Sequence, residues 1–188
     1  MKKLWFFGLA MLCLSMRINV SSAAGTDDDV TLRASLRGAN EVPPISTAGT
    51  GSFNATIHPN GTIDFKLTFA NLSSNVVVAH IHFAQANVNG GVMIFLCGGD
   101  AQPACPAATS GTVEGTITAA NVVALAAQGL AAGDLAAALR AIGQGEGYTN
   151  IHTTKFTGGE IRGQVRPTRR RLTVRFPDPS RNEYVVAG

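Results

Sequence analysis

Little in this sequence points to familiar catalytic chemistry, and the gaps are informative. Only three cysteines occur among 188 residues, and none stands in a C-x2-C pair, so the usual thiolate zinc spacing is missing. No G-x-S-x-G elbow is present, and no serine or cysteine is set up beside a histidine, which argues against the common hydrolases. No glycine-rich loop leads from a strand into a helix to cradle phosphate. "GGD" and "TGG" lie between strand-like segments instead. Aspartates and glutamates are scattered, mostly in turns or on outer faces, which leaves a paired-carboxylate glycosidase without a site.

Long hydrophobic runs are missing too. The longest candidate, in "MKKLWFFGLAMLCLSMR", is cut short by Arg17 and falls below the length of a good membrane span. Its two lysines, apolar stretch and small residues "SSAAG" read as a secretory signal peptide over residues 1–24, cleaved near Ala24. After its removal no transmembrane span is expected, and the protein is expected outside the cell or in the periplasm.

The leader also distorts the charge balance. Lys2, Lys3 and Arg17 leave with it, so fifteen basic residues become twelve, against twelve acids. The remainder is uneven. Residues 25–165 carry six basic and ten acidic side chains, and residues 166–188 hold six arginines against Asp178 and Glu183. The acidic body argues against nucleic-acid binding, which needs a basic footprint. The arginine-rich tail reads as a solvated arm or as one extra edge strand over 171–176, with anionic lipid or wall polymer as the sharper reading.

Cys13 leaves with the leader. Cys97 and Cys105 remain, in "CGGDAQPAC". An even pair in an exported chain reads as a disulfide.

What is present is mostly strand signal. "VTLRASLRG" alternates apolar and polar residues. "GTGSFNATIHPNGTIDFKLTFANL" reads as a hairpin: Phe53, Ala55 and Ile57 alternate into the "HPNG" turn, and Ile63, Phe65, Leu67 and Phe69 alternate out of it. His58, at that turn, reads as solvated. "VVVAHIHFA", "GGVMIFL", "SGTVEGTIT", "GYTNIHT" and "GEIRGQV" complete about eight strands. This predicts an all-β fold, an antiparallel β-sandwich of Greek-key, immunoglobulin-like or superoxide-dismutase-like type. The Ala/Leu-rich segment 118–145 predicts two short helices before the last strands. Thr118 caps the first, which Gly129 ends. Asp134 caps the second, which stops at Gly143.

Strand alternation sorts the polar residues. Val77, Ala79, Ile81 and Phe83 share one face of "VVVAHIHFA", with His80 and His82 on the other. In "GYTNIHT", Tyr148, Asn150 and His152 lie opposite Ile151. In "GEIRGQV", Glu160, Arg162 and Gln164 lie opposite Ile161. With the apolar sets facing the core, one outer face gathers His80, His82, Asn150, His152, Glu160, Arg162 and Gln164. Residues two apart on a strand have Cα atoms roughly 6.5–7 Å apart, so two imidazoles can reach one ion. His152 supplies a third ligand, a set suited to copper or zinc, and Glu160 is a candidate further ligand or acceptor for a ligand's ring N–H. The alternative is a cross-strand hydrogen-bond network with a Glu160–Arg162 ion pair that fixes register.

Four segments together, "LRGANEVPPISTAGTGSF", "VAHIHFAQANVNGGVMIFLC", "ITAANVVALAAQGLAAGDLAAALRAIGQGEGYTNIHT" and "GGEIRGQV", resemble the chordin-type domain, CHRD, over about residues 30–165. The resemblance implies a secreted β-rich module of the kind that stands alone in bacteria, with His80, His82, Asn150, His152, Glu160, Arg162 and Gln164 as its motif residues. In chordin such domains accompany cysteine-rich repeats that bind growth factors. Those repeats are missing here, so growth-factor antagonism does not carry over. The "HIH" strand is also similar to the His-x-His of copper/zinc superoxide dismutases, without a bridging histidine or a complete ligand set. The expectation is a non-enzymatic module in the envelope or outside the cell that binds a protein or envelope polymer. A copper- or zinc-binding protein, with a dismutase-like version of it, is the first alternative, and a purely structural module the second.

Overall fold

The computed structural model describes residues 30–58, 60–99, 102–168, 171–174 and 184–187. The leader over residues 1–24 lies outside them. The alternating segments become eight main strands: β1 (Val30–Arg37), β2 (Thr50–Ile57), β3 (Ile63–Ala70), β4 (Val76–Phe83), β5 (Gly91–Cys97), β6 (Gly111–Ile117), β7 (Gly147–Thr153) and β8 (Ile161–Gln164). Their order is β5-β4-β7-β8-β1-β2-β3-β6, with every pairing antiparallel. The all-β expectation holds. The strands form one continuous antiparallel sheet that nearly closes into a barrel, in place of two separate sheets.

The period-2 apolar residues fill the inside. Leu36, Phe53, Leu67, Ala79, Ile94, Ile151 and Ile161 are all fully buried there. Burial at roughly 25 cal/mol per Å² of apolar surface makes this interior the main stabilising term. The β2–β3 hairpin follows the sequence reading closely, pairing Ile57 with Ile63 and Thr50 with Ala70 at its two ends. Gly61 has the expected positive φ of 83° in the turn. His58 is tied down by Asp64, whose carboxylate oxygen lies 3.0 Å from its Nε2.

Alternation fails at one place in β4. The register against β7 shifts between Val76 and Val78, so Val77 turns out to solvent and Val76 joins the core. A bulge of this kind re-aims the side chains that follow it.

Of the two expected helices, one forms as such. α1 (Leu135–Gly143) is capped by Asp134, whose side chain accepts from the Ala137 N–H at 3.0 Å, and its Leu135, Ala138, Leu139 and Ile142 face the core. The segment before it makes two single 3-10 turns, Ala119–Asn121 and Ala126–Gln128, the second closed by Gly129 at φ 74°. The reason lies in Val122 and Val123. Val122 bridges Ile94, and the Val123 N–H donates to the Met93 carbonyl at 3.0 Å, so this chain covers the outer edge of β5. A β-branched pair beside an open strand edge gains more from that pairing than from a helix.

In the tail, β9 (Arg166–Pro167) pairs with β1. β10 (Arg171–Val174) pairs with β11 (Tyr184–Ala187) as a separate two-stranded sheet. The expected edge strand therefore exists over 171–174, but its partner is the chain's own end and not the main sheet.

Cys97 and Cys105 form the expected disulfide, with Cα atoms 4.9 Å apart. The closed loop is short, so chain entropy limits its worth. A Cys97→Ser/Cys105→Ser variant is expected to lose about 2–3 kcal/mol, seen in urea as a lower midpoint with an unchanged slope.

Candidate metal centre

β4 and β7 are neighbours, with His80 opposite Asn150, Val78 opposite His152 and His82 opposite Tyr148. The three histidines on the face away from the core therefore meet. The ring centroids of His80 lie 5.2 Å from those of His82 and 4.9 Å from those of His152. One ring nitrogen from each residue lies within 4.8 Å of the other two. They need draw in by only about 1–1.5 Å to share an ion at zinc–imidazole bond lengths.

This face is not open to water, as the alternation alone suggested. Loops fold over it, and His80, His82 and His152 are 7%, 8% and 9% exposed. The Gly90 carbonyl accepts from His82 Nδ1 at 3.0 Å, and the Thr157 carbonyl accepts from His152 Nδ1 at 2.9 Å. Each carbonyl fixes the proton on Nδ1 and leaves Nε2 as a lone pair, the usual way a ligand imidazole is oriented. Those two Nε2 atoms, and His80 Nδ1, are buried without a hydrogen-bond partner. An orphaned buried polar atom costs about 1–3 kcal/mol, so three in one cluster ask for a shared partner.

The cluster is neutral at ordinary pH. Burial pushes His80 down to about 3, helped by the neighbouring His152 and His82. Burial likewise pushes His82 down to about 4, although its bond to Gly90 opposes this. His152 is lowered by burial too, against the pull of the Thr157 carbonyl.

The rest of the expected polar face divides. Asn150 donates from Nδ2 to Glu41 Oε1 at 2.6 Å and to the Ile161 carbonyl at 3.1 Å. The Arg162 guanidinium carbon sits over the Tyr148 ring, 3.8 Å from its centroid, and Tyr148 in turn stacks on His82 at 4.8 Å, nearly parallel. Arg162 also donates to Asn89 Oδ1 and the Val88 carbonyl, both at 3.0 Å, which holds the covering loop down. Gln164 ties down the same side of the fold through the Ala84 and Gly145 carbonyls.

Glu160 does something else. It neither pairs with Arg162 nor joins the histidines. Its carboxylate is fully buried and accepts from Thr47 Oγ1 at 2.6 Å, Ser73 N at 2.8 Å, Ser73 Oγ at 2.9 Å and Thr153 Oγ1 at 2.8 Å. Loops at 47 and 73 compete successfully for a group that sheet alternation assigned to the outer face.

Three participants escaped the sequence reading. Glu41 is buried, and burial pushes its carboxyl up to about 7 despite the nearby Arg162 charge and the Asn150 bond. Phe95 closes one side of the cluster, edge-on to His80 at 4.7 Å. Tyr148 was placed on the right face by alternation, but its stacking role was not. The Gly-Gly-Glu motif has a physical basis here. Gly159 sits at φ 121°, and a Cβ on it would meet the Asn150 amide and, at 3.0 Å, Glu41 Oε1.

Comparison with known proteins bears on identity in one respect only. No curated protein and no solved structure matches the chain. The CHRD domain does match, over residues 32–165, which takes in most of β1, all of β2 to β8 and all three histidines, and the chain accordingly belongs to the CHRD domain family.

Proposed function

We propose that this chain is an exported, non-enzymatic metal-binding module, in which His80, His82 and His152 hold one copper or zinc ion. The observation that carries this reading is the convergence of three buried, neutral imidazoles, each of which keeps one ring nitrogen without a hydrogen-bond partner. A purely structural role fits less well, because bracing histidines would spend those nitrogens on hydrogen bonds to their neighbours. A superoxide-dismutase-like version needs a bridging histidine and a second ligand set. Among the described residues, the group able to hold a metal consists of these three histidines. Export is inferred from the leader ending near Ala24, and a disulfide in the body suits an oxidising compartment. A protein or envelope polymer would then meet the domain from outside this buried site.

The test is metal content and titration. The purified protein is expected to carry near one copper or zinc per chain and to be stabilised by it. An ion at a hundred times its Kd adds about 2.7 kcal/mol, visible as a higher melting temperature. A His80→Ala/His82→Ala/His152→Ala variant that folds is expected to lose both. Absence of tight binding by the intact protein would sink the metal reading and leave a scaffold whose partner must be sought by capture.

A further inference from the structure

The outer faces of β1 and β2 carry a charge pattern that the histidine site does not explain. Leu32, Ala34 and Leu36 point into the core, which turns Arg33, Ser35 and Arg37 outward on β1, opposite Asn54, Ser52 and Thr50 of β2. None of these six is buried. On its other side β1 sets Arg33 opposite Arg166 of β9, and Arg37 opposite Arg162 of β8. Like charges directly opposite each other destabilise a sheet. Arg162 is engaged under the covering loop by Tyr148, Asn89 and Val88. Arg166 leans back over Gly145, where a Cβ would collide with its guanidinium. Among the described residues, no carboxylate pairs with Arg33, Arg37 or Arg166. The acids that share a shallow trough with Arg33 are taken: Glu114 by Lys66, and Asp64 by His58 and Thr116.

Unpaired cations held side by side call for an anion from outside the chain. Arg33 and Arg37 stand roughly 13 Å apart along the strand, and the Arg166 Cα lies about 5 Å across from that of Arg33. That line suits an extended polymer whose anionic groups recur along it. Beside the arginines lie the hydroxyls of Ser35, Thr50 and Ser52 and the amide of Asn54, which match the hydroxyls of a sugar. A guanidinium fork matches two oxygens of a carboxylate or a sulfate. Other partners find less here. The exposed large apolar side chains among the described residues are Val77 and Val88, on β4 and in the covering loop. This face therefore has no wedge for a bilayer, no anchor for a protein and no ring for a nucleic-acid base. We infer that the outer face of β1 and β2 binds an acidic polysaccharide, with its anionic groups on Arg33, Arg37 and Arg166 and its hydroxyls on Ser35, Ser52 and Asn54. The site lies apart from the histidines and needs no metal there.

The test is binding of the purified full chain, with a metal chelator present, to dextran sulfate and to polygalacturonate. At about 0.1 M salt, charges are screened beyond about 10 Å. At least one of the two polymers is expected to bind, and neutral dextran is not. Failure of both overturns the inference. Polyphosphate and phosphatidylglycerol vesicles are expected to bind at least about tenfold more weakly, since neither offers a row of sugar hydroxyls. Binding of either as tight as the polysaccharide overturns the choice of partner. An Arg33→Gln/Arg37→Gln variant is expected to lose at least about tenfold in affinity. It should melt no lower than wild type, because it relieves the opposed charges. The arginines of the tail remain in this variant, so unchanged affinity would assign the polymer to the tail and overturn the site. A clearly lower melting temperature would mean that the arginines brace the sheet, and the argument from unpaired charge would fall. Asn54→Asp sets a carboxylate beside Arg33 with little change of shape. It is expected to weaken binding by a similar factor in a folded chain, and unchanged affinity would rule out this face.

Discussion

Replacing Glu160 by alanine is expected to destabilise the protein by about 3–5 kcal/mol. The carboxylate is wholly buried, and its four partners come from three separate places: Thr47 in the loop before β2, Ser73 in the loop before β4, and Thr153 at the end of β7. Removing it strands the Ser73 N–H and three hydroxyls together, so the loss exceeds that of one hydrogen bond. At roughly 2–4 °C per kcal/mol for a chain of this size, the melting temperature should fall by about 6–20 °C. Glu160→Gln keeps one oxygen acceptor but points an amide N–H₂ at hydroxyls already donating. It should fall between wild type and alanine. Burial raises the Glu160 carboxyl, but the bonds from Thr47, Ser73 and Thr153 outweigh it and hold the group below the ordinary 4.5. Its stabilisation is therefore present above that value and lost as pH falls through the lower folded-state value. A loss under about 1 kcal/mol in the alanine variant, within the range of ordinary surface changes, would mean that the loops are held by something else.

The contrast between Glu160 and the histidines shows what a sequence can convey about this fold. The period of two placed Ile81 and Ile151 inward and His80, His82 and His152 outward, because that choice depends only on local backbone geometry. It also set the β2–β3 hairpin, whose turn and alternation are contiguous in the chain. It could not reveal that the outward face is covered. The covering residues, Val88 to Gly90 and Thr157, come from loops whose seat depends on distant partners such as Arg162. For the same reason Glu160 was assigned to the outer face, while its real partners lie 113 and 87 residues away along the chain. Glu41 gave no pattern at all beyond its place in "EVPP", since its role rests on Asn150, 109 residues on. The misread first helix is the same lesson at short range. Ala and Leu favour a helix locally, and the edge of β5 overrode them through Val122 and Val123.

Metal-free protein is expected to lose stability steeply between pH 6.5 and 4, and the ion should protect it. In the folded state burial holds His80 near 3 and His82 near 4, against an ordinary value of 6.5. The unfolded chain therefore binds more protons in that window, and stability falls as pH falls. His152 acts in the same direction. Glu41 opposes them. Its folded value near 7 lies above the ordinary 4.5, so it favours the folded state at low pH and loses that contribution as pH rises through 7. Near pH 5.5 two histidine protons on the unfolded side stand against one Glu41 proton on the folded side. The net of about one proton gives a slope of roughly 1.4 kcal/mol per pH unit before His152 is added. Urea midpoints measured from pH 7 to pH 4 would show this slope in the metal-free protein. Below pH 6.5 the metal-loaded protein should stay the more stable of the two until protons displace the ion from the imidazoles. A folded variant with alanine at all three histidine positions should lose this slope and, above about pH 5, show the reverse sign through Glu41, with Glu160 pulling the other way only as the pH approaches 4. A metal-free wild type whose stability is flat from pH 6.5 to 4 would mean that the histidines are far better solvated than their burial implies, and the case for a neutral, preorganised set of metal donors would go with it.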